Sequence, residues 1–151
     1  MPDADPPRST ADRVRGVIAR LAADVDLWVA TASADGRPYL VPLSFLWHDG
    51  RVVMATPERS PTIRNLRRGG QVRLALDGTR DVVLIDGEVA FATAGDIGPA
   101  VADAYAAHAG WDPRTDGGTT WLVVTPTRIR AWREANELAG REVMRDGAWL
   151  A

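Results

Sequence analysis

The chain has 151 residues, of which 25% are charged and 46% hydrophobic, and it carries a net charge of -2 at pH 7. This length and composition indicate one globular domain and exclude wholesale disorder, and the weak negative charge does not favour a dedicated nucleic-acid binder. No apolar run approaches the ~18 residues of a membrane span, and the N-terminus MPDADPPRSTADR is unlike a secretory signal, so we expect a soluble cytoplasmic protein without membrane association.

The chain begins with a predicted disordered tail over residues 1–8, followed by an amphipathic helix over residues 11–23. Ser9 and Thr10 precede this helix and are suited to cap its first turn. Apolar residues then recur at helical spacing, which predicts one buried face. The apolar positions of that face are Val14, Val17, Ile18 and Leu21.

Strands dominate the remainder of the chain. The first three apolar runs are separated by ADGR and HDGR, and Asp-Gly between apolar runs is a strong hairpin signal. A bend is expected at Pro126 in the last strand. Consecutive hairpins favour a mainly β fold, an antiparallel barrel, over a doubly wound sheet. The predicted strands are residues 27–33, 38–47, 51–56, 71–76, 81–92 and 120–133.

Two further helices are predicted between these strands. A short one covers residues 61–68, and an alanine-rich one covers residues 94–110 and carries its own polar loop. We expect these to flank the barrel, because the consecutive strands are joined mostly by hairpins.

The residues offer little reactive chemistry. The chain has no cysteine, and all eighteen of its basic residues are arginine, so disulfides, thiolate nucleophiles and Schiff bases are excluded. The two histidines, His48 and His108, lack metal-ligand spacing and are predicted to lie at the surface. No nucleophile elbow, dinucleotide-binding glycine turn or Walker loop is present. We therefore expect no catalytic side chain and no metal site, and a cofactor would carry any reaction.

Residues 56–70, TPERSPTIRNLRRGG, concentrate four arginines around one short helix. Ser60 followed by Pro61 is the favoured order of an N-cap and a first-turn proline. Ile63 and Leu66 are predicted to face the core. The sequence therefore places a helix start beside the arginines.

An anion site is one hypothesis for this helix start. The N–H groups of Thr62 and Ile63 would be free to receive a phosphate beside Arg59 and Arg64. Few acids lie near in sequence, so the local positive charge is expected not to be neutralised.

The alternative is that these residues are structural. Ser60 would then only cap the helix, while Arg67 and Arg68 would only favour its C-terminus and solvent. The residues alone leave both interpretations open.

The whole pattern resembles the pyridoxamine 5'-phosphate oxidase-like proteins. The resemblance rests on LWVATASADGRPYLVPLSFLW, on Ala55-Thr56, on Ser60-x-x-x-Arg64-Asn65-Leu66 and on DVVLIDGEV, and it spans about residues 10–135. PTRIRAW makes the chain more similar to the actinobacterial flavin/deazaflavin-dependent oxidoreductases. The resemblance implies a six-stranded FMN-binding split barrel over residues 9–133. It also implies a homodimer with FMN or the deazaflavin F420 in a groove between subunits.

The resemblance also implies positions for the cofactor site. Pro42 and Thr62 depart from the family, which has lysine at both positions, and Arg59 and Arg64 would supply charge instead. Trp132 and Arg133 match residues that reach the neighbouring subunit's site, although packing explains Trp132 equally well. The implied cofactor-binding residues are Arg37, Pro42, Ala55, Thr56, Arg59, Ser60, Thr62, Arg64, Asn65, Trp132 and Arg133.

The function implied is hydride transfer between the bound cofactor and a small organic substrate. A non-catalytic flavin- or haem-binding module is one alternative, and a binder of an acidic partner or nucleic acid through the arginine cluster is another. Trp28, Trp47 and Trp121 would either line the groove or fill the core.

The C-terminal extension, residues 134–151, is expected to dock on the barrel or on the dimer partner. It is too polar to form a core strand throughout. The side chains that would make the contact are Val143, Met144, Trp149 and Leu150.

Overall fold

The computed structural model describes residues 5–151, and its strands form one antiparallel sheet. The strand order is β3-β2-β1-β4-β5-β6-β7-β8, and β3 also pairs with β6. This extra pairing closes the first six strands into a barrel, as predicted. The strands are β1 Asp26–Ala32, β2 Pro38–His48, β3 Arg51–Pro57, β4 Val72–Leu76, β5 Val82–Ala92, β6 Thr119–Trp132, β7 Glu142–Arg145 and β8 Ala148–Trp149.

Strand β6 holds the barrel and the C-terminal extension together. Its first half pairs with β3, its second half pairs with β7, and β5 accompanies it along its length. The register shifts where Asp86 pairs with Arg128 but Gly87 pairs with Pro126, so one extra residue, Thr127, bulges from β6. The predicted bend at Pro126 is confirmed, since a bulge is where a strand accommodates a proline.

Alternation along the strands separates the core from the surface. In β1, Leu27, Val29 and Thr31 are buried inside the barrel, while Trp28 and Ala30 face outward. Burial of the inward apolar side chains of all six barrel strands is the main stabilising contribution to this architecture.

Within residues 5–151, four α-helices lie around the barrel: α1 Thr10–Ala23, α2 Pro61–Arg67, α3 Ala94–Ile97 and α4 Pro99–Ala109. Ser9 caps α1 by accepting a hydrogen bond from the N–H of Asp12. Three of the four predicted apolar positions of α1 are buried in the core. Ile18 is not, because it is 38% exposed, so its predicted inward position is wrong.

The predicted helix over residues 94–110 is interrupted. Gly98 has a φ of 84° and an extended ψ of 154°, and Pro99 then starts α4. Proline has no N–H to continue the hydrogen-bond ladder of α3, so Gly-Pro divides the segment into two helices. The buried side of α4, formed by Ala102 and Tyr105, covers the outer side of β3 in a second apolar cluster.

The barrel has two ends, which differ in the strands that begin and finish there. At the α1 end, β1 and β5 begin and β4 and β6 finish. At the α2 end, β2 and β6 begin and β1, β3 and β5 finish. We refer to these as the α1 end and the α2 end.

The C-terminal extension docks on its own barrel. Val143 and Met144 of β7 lie in the main core, and Trp149 of β8 packs against it, whereas Leu150 is 41% exposed. The 3-10 turn Ala135–Glu137 joins β6 to this hairpin.

The N-terminal segment is partly anchored to this extension. Arg8 hydrogen-bonds to Glu137 through its backbone N–H and its guanidinium, and the Asn136 amide donates to the carbonyl of Asp5. Residues 1–4 of the predicted disordered tail lie outside the described residues. Among the helices of residues 5–151, none is long and apolar enough to cross a membrane.

Candidate functional site

The loop between β3 and α2 is fixed by one carboxylate. Glu58 accepts two hydrogen bonds from Arg67, at 2.8 and 2.9 Å, and a third from the hydroxyl of Thr120. These bonds, led by those from Arg67, hold the pKa of Glu58 below its ordinary value. The Arg67 guanidinium also lies over the ring of Phe91, with its Cζ 4.4 Å from the centroid. Arg67 is exposed, as predicted, but its charge is paired with Glu58, which corrects the expectation that the local positive charge would not be neutralised.

Ser60 caps helix α2, as predicted. The Ser60 Oγ accepts a hydrogen bond from the N–H of Ile63 at 3.3 Å, and the Ser60 carbonyl accepts one from Arg64. The N–H of Ile63 is thus used by the cap, which corrects the expectation that it would be free for an anion. The hydroxyl proton of Ser60 is not used by this bond, so Ser60 can still donate.

The inner side of α2 is buried against the barrel. Ile63 and Leu66 join the core, as predicted, and Thr62 is only 1% exposed. The Asn65 amide donates to the hydroxyl of Thr31 at 3.0 Å, and both side chains are buried. Thr62 and Asn65 therefore position the helix, and a buried Thr62 cannot present its side chain to a ligand on the surface.

Arg59 and Arg64 remain as exposed cations beside Ser60. Neither has a carboxylate within ion-pair distance among residues 5–151. Arg67, the last residue of α2, is by contrast paired with Glu58. Arg59 borders a surface hollow of about 460 Å³ that Pro57 and Gly118 also line. This pair of guanidiniums is the positive part of the candidate site.

Arg37 directly precedes β2, whereas Pro42 lies within it. Arg37 is exposed next to Asp35, with 3.6 Å between the Arg37 Nε and the carboxylate, and lies at the α2 end because β2 starts there. Pro42 pairs with Trp28 and lines a separate hollow of about 500 Å³ near the end of α1. Five strand residues span about 17 Å, so the two do not form one contact.

Trp132 and Arg133 lie at the α1 end, where β6 finishes. Trp132 is half-buried, with the Arg141 Cζ 5.8 Å from its ring centroid, and Arg133 forms an ion pair with Asp81 at 3.4 Å. Both residues therefore lie at the opposite end of the barrel from Ser60. Within one chain, the predicted site divides into a larger group at the α2 end and a smaller group toward the α1 end.

Two of the predicted positions are buried. Ala55 is 3% exposed and Thr56 is 5% exposed, where β3 approaches the α2 end. Of the three other tryptophans considered, Trp121 is core, because it is 1% exposed and meets Tyr105 edge-on at 5.1 Å. Trp47 is half-buried against the main core, and Trp28 is 40% exposed.

The histidines have different environments. His48 is exposed beside the β2–β3 turn, as predicted. The Nε2 of His108 lies 2.8 Å from the backbone oxygen of Asp24, and the side chain is half-buried, so its predicted surface position is only partly right. This contact links α4 to the segment between α1 and β1.

The feature that sequence reasoning missed is the anchoring of the site loop. Glu58 bonds Arg67, nine residues later, and Thr120 of β6. No helical or strand spacing joins these positions. The contact depends on β3 pairing with β6, which brings Thr120 opposite Thr56.

Comparison with known proteins gives the same architecture. The chain resembles an F420 reductase of known structure at 18% identity, with a TM-score of 0.61 over 74% of this chain and 93% of that one. It resembles a putative pyridoxamine 5'-phosphate oxidase from Listeria innocua at 15% identity, with a TM-score of 0.63 over 80% and 98%. It also resembles a heme binding protein from Mycobacterium smegmatis at 18% identity, with a TM-score of 0.62 over 93% of this chain and 59% of that one.

At these identities the structural matches establish the fold alone. No curated protein matches the sequence. The family model described as pyridoxamine 5'-phosphate oxidase matches residues 19–133, which include the closed barrel and the arginine-flanked helix α2. The chain therefore belongs to the pyridoxamine 5'-phosphate oxidase family.

Proposed function

We propose that the protein binds a flavin-type cofactor, FMN or F420, through the cofactor's phosphate group, and that it is an oxidoreductase acting on a small organic molecule. The observation that carries this proposal is that Arg59 and Arg64, which precede and follow Ser60 in the sequence, are exposed and have no carboxylate partner among residues 5–151. An unneutralised pair of guanidiniums beside a hydroxyl donor is suited to a phosphate.

The residues that are present fit an anionic group, although they differ from the lysines of the family. Pro42 and Thr62 occupy the lysine positions, and Thr62 is buried, so neither contributes charge. Arg59 and Arg64 would bind the phosphate with planar guanidiniums, which offer paired donors where an ammonium offers a point charge. The hydroxyl of Ser60 would donate a further hydrogen bond.

The protein groups at this site bind and orient, and the cofactor when bound would supply hydride transfer. Glu58, held by Arg67 and Thr120, fixes the loop that carries Arg59. Asn65, bonded to Thr31, fixes the helix that carries Arg64. The backbone segments that carry the two cations are thus both anchored, which limits the conformational entropy lost on binding.

The proposal includes a homodimer with the cofactor between subunits. Trp132 and Arg133 lie at the opposite end of the barrel from Ser60, so a partner chain would be needed to bring such residues near α2. Leu40, 59% exposed, and Trp28, 40% exposed, face outward on neighbouring strands and support the use of this sheet face as a contact. The cytoplasmic location stays a prediction.

Haem binding and recognition of an acidic partner are less well supported. His48 is the last residue of β2 and His108 contacts the Asp24 backbone, so neither is placed beside Ser60. One of the four clustered arginines, Arg67, is already paired, which reduces the positive charge available to an acidic partner.

The experiment is a titration of the purified apoprotein with FMN and with F420, each followed by the change in cofactor fluorescence. We expect saturable binding of at least one, and a rise in Kd of about tenfold or more for the double variant Arg59→Ala/Arg64→Ala, since losing a hydrogen bond to a charged group costs at least 1.4 kcal/mol or so. Arg68→Ala, which removes an exposed arginine from the C-terminal end of α2, is the matched control and should change Kd less than about twofold.

Absence of binding to both cofactors, or an equal effect of the double variant and Arg68→Ala, would contradict the proposal. The oxidoreductase part is tested separately. The protein loaded with the reduced cofactor should transfer hydride to small organic acceptors faster than the free reduced cofactor does.

A further inference from the structure

A separate concave site lies between the start of α1 and the C-terminal hairpin, and no residue of α2 lines it. Its volume is about 490 Å³, within the usual range for pockets that hold small organic molecules. We call it the C-terminal pocket. The lining side chains that matter here are Arg128, Leu138, Arg141, Glu142, Arg145 and Leu150.

The charges of the C-terminal pocket do not cancel. Arg128 and Arg145 share the single carboxylate of Glu142, at 3.0 Å from Arg128 and 2.6 Å from Arg145. Arg141 has no carboxylate partner among residues 5–151 and instead donates to the backbone oxygen of Leu138 at 3.0 Å. Three guanidiniums therefore line a pocket with one carboxylate. Asp86 and Asp146 border the adjoining hollow, which Arg128 and Arg145 also line, and Asp86 is bonded twice by Arg73.

A fourth cation lies beneath the pocket. Arg13 of α1 is only 6% exposed, its Nη1 makes a long hydrogen bond of 3.4 Å to the backbone oxygen of Ala131, and its buried Nε has no partner among the described residues. Its Nη2 is 3.9 Å from where a β-carbon on Gly140, a pocket residue, would lie. A buried guanidinium without a counter-charge is unfavourable, and an anion in the pocket would offset that cost.

The same pocket exposes apolar surface. Leu138 is 40% exposed and Leu150 is 41% exposed, and they are two of the six large hydrophobic side chains that the described chain leaves exposed. Both line the C-terminal pocket. An excess of guanidinium next to two leucines matches a ligand with an anionic head and an apolar body.

We propose that the C-terminal pocket binds a small organic anion, with a carboxylate or phosphate head held by Arg141 beside Arg128 and Arg145 and an apolar body against Leu138 and Leu150. This site is separate from the proposed cofactor site, since it is built by α1 and the C-terminal hairpin and includes neither Arg59 nor Arg64. It does not depend on the proposed oxidoreductase activity.

The test uses calorimetric titration of the full chain with benzoate, phenyl phosphate, inorganic phosphate and neutral benzyl alcohol. The titrations are made in the Arg59→Ala/Arg64→Ala background, so that phosphate binding at the proposed cofactor site does not contribute. We expect saturable binding of benzoate or phenyl phosphate, weaker binding of inorganic phosphate and none of benzyl alcohol. Which of the two aromatic anions binds more tightly identifies the head group.

Two variants test the pocket itself. Arg141→Ala should raise Kd by about tenfold or more. Glu142→Gln should lower Kd severalfold, because it removes the carboxylate that competes for Arg128 and Arg145, and a merely destabilised variant would not bind more tightly. Arg51→Ala, which removes an exposed arginine from the β2–β3 hairpin, is the control and should leave Kd within about twofold of the background value.

Four results would overturn the proposal. The first two are no saturable binding of either aromatic anion and equal binding of benzyl alcohol. The third is unchanged or weaker binding by folded Glu142→Gln. The fourth is an unchanged Kd in folded Arg141→Ala, because Arg141 is the pocket cation that has no acidic partner among the described residues.

Discussion

The Asn65 side chain donates a hydrogen bond to the Thr31 hydroxyl at 3.0 Å, and this bond joins α2 to the inward face of β1. Both residues are 6% exposed, so water cannot replace the bond. The bond fixes the helix that carries Ser60 and Arg64 relative to the barrel. It therefore connects the stability of the fold with the geometry of the candidate site.

Asn65→Ala is expected to lower the free energy of unfolding by about 1–3 kcal/mol, because it leaves the Thr31 hydroxyl without its buried partner. Thr31→Val should have a similar effect by leaving the Asn65 amide unpaired. Urea denaturation of both single variants and the double variant measures the coupling. We expect the double variant to lose less than the sum of the two, and strict additivity would show that the bond contributes nothing.

Gly87→Ala should destabilise the barrel at the β5–β6 bulge. A β-carbon on Gly87 would lie 2.6 Å from the backbone oxygen of Thr125 and 2.7 Å from Val124 Cγ1, so strand and core must shift. We expect a loss of roughly 1–3 kcal/mol in urea denaturation, the usual cost of overpacking. Gly117→Ala is the control, because a β-carbon there meets nothing within 4 Å. Equal stability of the two variants would contradict the tight approach of β5 to β6.

The strands could be predicted because their signals are local. Asp-Gly turns between apolar runs define the hairpins, and Pro126 marks the bulge of β6. Closure of the barrel was favoured by the consecutive hairpins and implied by the family resemblance, and it is confirmed. Helix α2 was predicted from the order Ser60-Pro61, and it is confirmed at Pro61–Arg67. Local patterns were less reliable for Ile18, which fits the apolar periodicity of α1 but is 38% exposed and outside the core.

The contacts that organise the sites are not local and were not predicted. Glu58 meets Thr120 only because β3 pairs with the start of β6, and Arg8 meets Glu137 across 129 positions of sequence. The site positions shared with the family could be named, but not their burial. Thr62 is the clearest case. A threonine at a position where the family has lysine suggests a changed ligand contact, but Thr62 is buried in α2.

Glu137 provides a pH-dependent part of the stability. It is 4% exposed and accepts hydrogen bonds from the backbone and guanidinium of Arg8 and from the backbone N–H of Arg133. These bonds, led by the Arg8 side chain, lower the pKa of Glu137 to about 2 from an ordinary 4.5. The folded pKa is the lower of the two, so the stabilisation is complete above pH 4.5 and is lost as the pH falls toward 2.

Glu137→Gln should therefore lower the free energy of unfolding by roughly 2–3 kcal/mol at neutral pH, less than for a fully buried pair because Arg8 is partly exposed. The difference from the parent protein should shrink below pH 4.5. Urea denaturation at several pH values checks this, with Glu134→Gln, an exposed carboxylate in the same turn, as control. A difference that stays constant with pH would contradict ionisation of Glu137 in the folded protein.

The outer sheet face formed by β2, β1 and β4 should be the dimer contact if the proposed homodimer is right. Leu40 is 59% exposed at the centre of this face, opposite Ala30, and Trp28 is 40% exposed on the neighbouring row opposite Pro42. Arg73, bonded twice to Asp86 at 2.7 and 3.1 Å, borders these apolar side chains on the β4 side. A central apolar area with a charged border is the usual anatomy of a protein–protein interface.

Leu40→Glu is expected to convert the dimer to monomer, because a carboxylate from each subunit would be buried in the contact without a partner. Light scattering coupled to size-exclusion chromatography measures the mass, and circular dichroism checks that the barrel remains folded. Ile18→Glu, at an exposed apolar position of α1 outside this face, is the matched control and should remain dimeric. If the cofactor lies between subunits, Leu40→Glu should also weaken FMN or F420 binding while Ile18→Glu does not. A monomeric parent protein, or a Leu40→Glu variant that stays dimeric, would exclude this face as the contact.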